Sequence, residues 1–247
     1  MLPPLLLTLS ALTLTHVHAQ VPDPPGLGFG PTYLMPRTSS YLIGYSTTLR
    51  VPRYPGTSEG LAVVWPGINT DARPTNLVQT IVGAERARRS SCLGKATGQQ
   101  WCAFTSTNIG ITQQKSGKGI PVEEGTDLFI TYKYDETTKQ FTQTLSIDGK
   151  EVSRQSLAVG KGTRFNTAVE VQRGFSGTIA AHSYRNNTFT FAAADPGFPG
   201  SLRVGRGIVA SEPVTADGGK VWTVDEILIP DSKYGSARAA ASPPKAS

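Results

Sequence analysis

Hydrophobic and polar residues alternate with a period of two along most of the chain, which is the pattern of half-buried β-strands. The alternating segments are rich in β-branched and aromatic residues, and turn residues separate them. They read YLIGYSTTLRVP, GLAVVWPG, QQWCAFTS, DLFITYKYD, KQFTQTLSID, FNTAVEVQR, NTFTFAAA and KVWTVDEILIP. Because no long amphipathic helix competes with these strands, the pattern predicts an all-β fold, specifically an antiparallel β-sandwich.

Two connections define a meander within this pattern. Asp148-Gly149 stands between two alternating segments and is a strong signal for a two-residue hairpin. Residues 135–139 form a second tight connection just before it. One segment, residues 76–89, is ambiguous because its apolar spacing also suits one face of a helix. We predict a strand there through Val82, since Gly83 then ends it naturally.

Changes in composition divide the chain of 247 residues. Residues 1–19 lack charged side chains, contain a leucine-rich run and end in a small-residue cleavage pattern, which predicts a secretory signal peptide. Residues 20–40 are rich in Pro and Gly and are expected to be an extended lead-in. Residues 41–230 are expected to form a single sandwich domain, followed by a disordered low-complexity tail over residues 231–247. The mature protein is therefore expected to be extracellular and without a membrane span.

Removal of the signal peptide leaves His182 as the single histidine of the chain. Most metal sites need several His or Cys ligands, and Ser-His-Asp schemes need a histidine beside a nucleophile. No nucleophile motif accompanies His182, so we expect no metal and no other cofactor. The net charge of +6 has a local source in Arg86, Arg88 and Arg89. This segment is interpreted as a solvated loop, an acidic-glycan contact or a dibasic processing site, and nucleic acid is not an expected partner.

Two features fit the expected secretion. Cys92 and Cys102 are the only cysteines, and an oxidising compartment predicts that they form a disulfide. Asn186 begins the sequence Asn186-Asn187-Thr188, which is an N-glycosylation sequon. We expect the protein to be a monomer.

Strand alternation predicts which side chains share a face. On the strand around Glu170, the valines at 169 and 171 point one way, while Ala168, Glu170 and Gln172 point the other. Leu77, Gln79 and Ile81 also share one face of their strand. These patterns allow a groove lined by polar and aromatic side chains, namely Trp65, Gln79, Tyr132, Tyr134 and Glu170.

The order of short motifs over residues 47–193 resembles the fungal glutamic endopeptidases, the eqolisins. The motifs that carry the resemblance are LRVP, VVWPGI, LVQT, QQWCAF, PVEEGTDLFITYKY and NTAVEVQRGFSG. The resemblance implies a concanavalin A-like lectin/glucanase jelly roll. It further implies that Gln79 matches the catalytic glutamine, Glu170 the catalytic glutamate and Trp65 the groove tryptophan, while Tyr132 and Tyr134 are expected to contact substrate.

The implied activity is hydrolysis of a polypeptide substrate. A carboxylate acting as general base would activate water, and a neighbouring amide would orient that water and stabilise the oxyanion. One alternative is a polysaccharide-active enzyme, either a lyase or a glycosidase in which Glu170 needs a second carboxylate. The candidate partners are Glu123, Glu124, Asp127 and Glu226. The other alternative is a noncatalytic module that binds an extracellular polysaccharide or a protein.

Overall fold

The structure is a computed structural model that describes residues 27–36, 39–56, 60–73, 75–85, 92, 99–172 and 174–235. Within these residues the chain forms short strands almost throughout. The elements are β1 (Leu27–Phe29), β2 (Tyr33–Met35), β3 (Leu42–Arg50), β4 (Leu61–Thr70), β5 (Leu77–Glu85), β6 (Trp101–Ile109), β7 (Gln113–Ser116), β8 (Ile120–Val122), β9 (Asp127–Asp135), β10 (Gln140–Ile147), β11 (Lys150–Leu157), β12 (Gly162–Gln172), β13 (Gly177–Ile179), β14 (His182–Phe191), α1 (Phe198–Ser201), β15 (Arg203–Val204), β16 (Val209–Ala210), β17 (Val221–Ile229) and β18 (Ser232–Tyr234).

The strands build two antiparallel layers. The front layer has the order β7-β6-β5-β4-β12, with β8 added beside β6 and the short strands β1 and β2 added beside β12. The back layer has the order β11-β10-β9-β3-β14-β17-β16. The two layers join at a corner where Gly162 of β12 pairs with Leu42 of β3. The predicted fold class, an all-β antiparallel β-sandwich of jelly-roll type, is confirmed.

The main hydrophobic core lies between the layers and follows from strand alternation. Val78 and Val82 of β5 and Val169 and Val171 of β12 point into it, together with aromatic side chains of the back layer such as Phe189. Hydroxyl groups also bridge the layers at one edge, where Thr105 of β6 lies 3.1 Å from Ser153 of β11. Burial of the inward residues on both layers supplies the main driving force for folding.

The ambiguous segment after residue 75 is a strand, as predicted, but it runs beyond Val82 to Glu85. Gly83 does not end the strand because it pairs with Val63 of β4 on one side and Cys102 of β6 on the other. The predicted hairpin at Asp148-Gly149 is confirmed. Both residues have positive φ, 50° and 74°, as a two-residue turn of type I′ requires.

Residues within the predicted lead-in contribute to the sheet. β1 and β2 both pair with β12, and Tyr33 and Met35 are buried in the main core. At the other end, β18 pairs with β13. The sheets therefore extend on both sides of residues 41–230. The predicted signal peptide, the arginines at 86, 88 and 89, and residues 236–247 lie outside the described residues. No helix in the described part of the chain has the length and apolar character needed to span a membrane.

His182 begins β14 and is buried. Its Nδ1 lies 3.1 Å from the carbonyl oxygen of Ala180, and its ring packs edge-on against Tyr184. Nε2 has no hydrogen-bond partner among the described residues. Burial disfavours the charged ring and lowers the pKa of His182 to about 4, although the carbonyl contact opposes the shift. The imidazole is therefore a neutral core residue at neutral pH.

This burial predicts loss of stability in acid. The unfolded chain protonates His182 near its ordinary pKa, whereas the folded chain resists protonation until about pH 4. The free energy of unfolding should therefore fall as the pH drops from about 6.5 to 4, by up to about 3 kcal/mol from this residue. In His182→Phe, the free energy of unfolding should fall less over the same pH interval. Urea unfolding at several pH values measures this difference. Equal slopes in the two proteins would contradict the assignment.

Candidate functional site

The outer face of the front layer, which points away from the back layer, carries three of the predicted site residues. Antiparallel pairing sets Ala168 opposite Trp65 and Glu170 opposite Val63. Gln79 lies opposite Gly67, on the other side of β4 from Asn166. Side chains at these alternating positions point outward, so Trp65, Gln79 and Glu170 share one face.

Part of the outer face is a second, smaller hydrophobic core. It contains Val63, Trp65, Ile81, Phe104 and Ala168, together with both cysteines. The predicted disulfide between Cys92 and Cys102 is confirmed, with a Cα–Cα distance of 5.9 Å. Both cysteines are buried, so the disulfide fixes Cys92 against the outer side of the sheet. At this second core the front layer is therefore packed on both of its faces.

Glu170 lies half-buried at the border of this second core, and two donors hold its carboxylate. The indole Nε1 of Trp65 donates to Oε2 of Glu170 at 3.1 Å. The side-chain amide of Gln172 donates to Oε1 of the same carboxylate. Gln172 lies two residues beyond Glu170 on β12, so alternation brings both side chains to the same face. From the described part of the chain, each carboxylate oxygen thus receives one hydrogen bond, which fixes its orientation.

Gln79 lies on the same face as Glu170 but does not contact it. The register puts Gln79 two strands and four residues away from Glu170, so their Cα atoms are about 16 Å apart. The side chains of Gln79 and Glu170 each extend about 5 Å from their Cα atoms. The Gln79 amide therefore does not reach the Glu170 carboxylate. The Trp65 ring fills the space between, since its Cζ3 lies close over Gly67. Gln79 itself is only 4% exposed.

Tyr132 and Tyr134 do not reach the outer face of the front layer. They share one face of β9, as predicted, but that face points into the main core between the layers. The hydroxyl of Tyr132 donates to the carbonyl oxygen of Pro66 at 2.9 Å, and the Tyr134 ring packs against Phe141. Alternation could show that the two tyrosines align, but it could not show which side of β9 faces the front layer.

The carboxylates considered as partners of Glu170 lie elsewhere. Glu123 and Glu124 occupy the turn between β8 and β9, at the far edge of the front layer. Asp127 forms ion pairs with Arg50 at 3.3 Å and Arg185 at 2.7 Å, and Glu226 is exposed on β17. Among the described residues, no group of three His, Cys, Asp or Glu side chains could hold a metal ion.

The sequence matches no protein-family model, and no curated protein matches it significantly. Among solved structures, it is similar to scytalido-glutamic peptidase with a transition state analog inhibitor. That similarity has 16% identity and a TM-score of 0.48, over 80% of this chain and 97% of that chain. It is also similar to SCP-B, a member of the eqolisin family of peptidases in complex with a tripeptide. Here the identity is 15% and the TM-score 0.45, over 80% and 96% of the two chains.

A third similar structure is a glycoside hydrolase family 16 endo-glucanase from Bacteroides ovatus. It has 12% identity and a TM-score of 0.37, over 84% of this chain and 86% of that chain. These identities and TM-scores are too low to assign the chain to a family.

The second core predicts a measurable contribution from its disulfide. In the double variant Cys92→Ser/Cys102→Ser, the free energy of unfolding should fall by about 3 kcal/mol, because the closed loop no longer restricts the unfolded chain. Guanidinium unfolding followed by tryptophan fluorescence measures the change. Wild-type protein unfolded with a reducing agent present is the control and should reproduce the loss. An unchanged midpoint in the double variant would show that the disulfide does not stabilise this core.

Proposed function

We propose that the protein is a secreted hydrolase of polypeptides in which Glu170 is the general base. The proposal rests on one observation, the half-buried carboxylate of Glu170 held by the indole N–H of Trp65. A general base must be fixed within hydrogen-bond reach of its water, and such fixation is what this contact supplies. The motif resemblance to glutamic endopeptidases and the signal-like residues 1–19 support the substrate class and the secretion.

The reaction can be written with the groups of this site. The Glu170 carboxylate accepts a proton from water while the water oxygen attacks the peptide carbonyl carbon. The tetrahedral intermediate then collapses, and the carboxyl proton passes to the departing amine nitrogen as the C–N bond breaks. Each carboxylate oxygen has two lone-pair directions, so among the described residues the donors from Trp65 and Gln172 leave a direction on each oxygen for the water.

A polysaccharide-cleaving enzyme is the second candidate, and the backbone position of Glu85 favours it. β4 separates Glu85 from β12, and Leu61 of β4 pairs with both Glu85 and Gln172. The Cα atoms of Glu85 and Glu170 are thus about 12 Å apart. Glycosidases use two carboxyl groups about 5–9.5 Å apart, and the strand pairing brings the backbone of a second glutamate into the neighbourhood of Glu170. In this case Glu85→Gln would abolish glycan cleavage, as would Glu170→Gln.

Cleavage of an unfolded protein substrate tests the peptidase proposal. The secreted protein should cleave it between about pH 3 and 6, in the presence of a chelator and pepstatin, and Glu170→Gln should lower kcat at least about a hundredfold. Glu123→Gln is the matched control, because that glutamate lies at the far edge of the same layer. Circular dichroism at each pH verifies folding.

Four results would decide against this function. The proposal fails if folded wild-type protein cleaves no polypeptide over this range, or if Glu170→Gln retains full activity. Depolymerisation of a glycan instead would identify the second candidate. Glycan or protein binding without cleavage would identify a noncatalytic module.

A further inference from the structure

We propose that Gln172, and not Gln79, is the amide that works with Glu170. The inference rests on the proposed function, and it assigns Gln172 as the positioning residue of the general base. Gln172 donates directly to Oε1 of Glu170, whereas Gln79 lies about 16 Å away by strand spacing. A carboxylate and an amide in contact are the groups that histidine-independent, metal-independent activation of water uses.

The backbone around Gln172 is suited to hold this contact. β12 is paired on both sides at this point, with Leu27 of β1 on one side and Leu61 of β4 on the other. The side chain is half-buried, so it borders solvent at the same place as Glu170. A glutamine amide has a second N–H and a carbonyl oxygen besides the N–H given to Glu170. The N–H given to Oε1 fixes the carboxylate, which is the positioning role assigned to Gln172.

Gln79 has a structural role. It is nearly inaccessible and lies in a row with Gly67 and Ser106, beside the second core. A Cβ on Gly67 would approach Leu77 and the Trp65 ring to 2.8 and 3.2 Å, so the packing around this row is tight. An amide that is enclosed in this way and separated from Glu170 by Trp65 has no path to the reacting atoms.

Steady-state kinetics of two glutamine variants test the assignment. Gln172→Leu should lower kcat about a hundredfold through misplacement of the base, with little change in KM. Gln79→Leu, the matched control, should keep kcat and KM within about twofold once folding is verified. Gln172→Thr, which also removes the amide but suits a strand, provides a second variant if Gln172→Leu folds poorly.

The outcomes separate the inference from the proposed function. If wild type is active but Gln172→Leu and Gln172→Thr keep full kcat while Gln79→Leu loses it, the inference is overturned and the function stands. A KM increase at unchanged kcat in the Gln172 variants would also overturn it, because that result indicates substrate binding. If Glu170→Gln is fully active or wild type is inactive, the proposed function fails and the inference fails with it.

The sequon at Asn186 carries a second, independent inference. Asn186 is exposed and has a φ of 54°, at a place where the pairing of β14 with β3 shifts register. The next residue, Asn187, is buried, and its amide bonds Tyr45, Tyr184 and Val224. One amide of the sequon is thus presented to solvent while its neighbour secures the fold.

We infer that Asn186 carries an N-linked glycan whose first sugar lies in the adjoining hollow. The hollow has a volume of about 230 Å³, and its lining includes Thr188, Glu212, Val214, Thr223 and Asp225. Val214 is 62% exposed and can pack against the C–H face of a sugar ring, while the carboxylates accept from its hydroxyls. The Asn186 amide nitrogen bonds the anomeric carbon of a lipid-linked oligosaccharide, the lipid pyrophosphate leaves, and the amide loses one proton.

Mass spectrometry of protein secreted from a eukaryotic host tests this inference. Wild type should lose the mass of a glycan on enzymatic deglycosylation, whereas Thr188→Val should show no such loss. This variant removes the sequon but keeps Asn186 and its positive φ. Hydroxyl-radical footprinting should show Val214 more protected in glycosylated than in deglycosylated protein. An unmodified wild type overturns the modification, and equal protection of Val214 overturns the placement of the sugar.

Discussion

The pairing of β12 with β4 is the constraint on which the rest of the structure depends. It continues in register from Arg164 to Gln172, so every outward side chain of β12 has a defined neighbour on β4. The same pairing joins the front layer to the corner at Gly162, where the chain meets the back layer. It also sets Trp65 beside Glu170 and supplies the backbone support for Gln172. Core, corner and candidate site therefore share one set of backbone hydrogen bonds.

Around β5 the front layer is packed on both faces, which explains the composition of this strand. One face of β5 meets the main core through Val78 and Val82, and the other meets the second core through Ile81. The sequence of a strand that is buried on both faces is a nearly continuous apolar run, whereas a strand with one solvent-exposed face alternates apolar and polar residues. Gln79 interrupts this run at the border of the second core. Its side chain is almost fully buried there, so packing accounts for a glutamine at this position.

Local patterns predicted the elements well, because strand formation, turn geometry and disulfide closure depend on neighbouring residues. The strand at residues 77–82 and the Asp148-Gly149 hairpin are examples. Alternation also grouped Glu170 with Gln172 on one face of its strand, and Gln79 with Leu77 and Ile81 on one face of another. It could not give the register between β5, β4 and β12, which long-range pairing determines. The pairing of Glu170 with Gln79 came from the family resemblance and stays a prediction. Alternation assigned no role to Gln172, and it could not show that Tyr132 and Tyr134 point into the core.

Outward positions on β12 repeat every two residues, and this spacing limits how such a site can change. A carboxylate moved from position 170 to 168 or 166 stays on the same face but shifts by about 7 or 13 Å along the strand. At 166 it would lie across Gly67 from Gln79; at 170 it lies beside Gln172. The scaffold can therefore present different glutamate–glutamine pairs through single exchanges that leave backbone pairing intact. The pair of side chains at the site can therefore change while the strand pairing of the sheet stays the same.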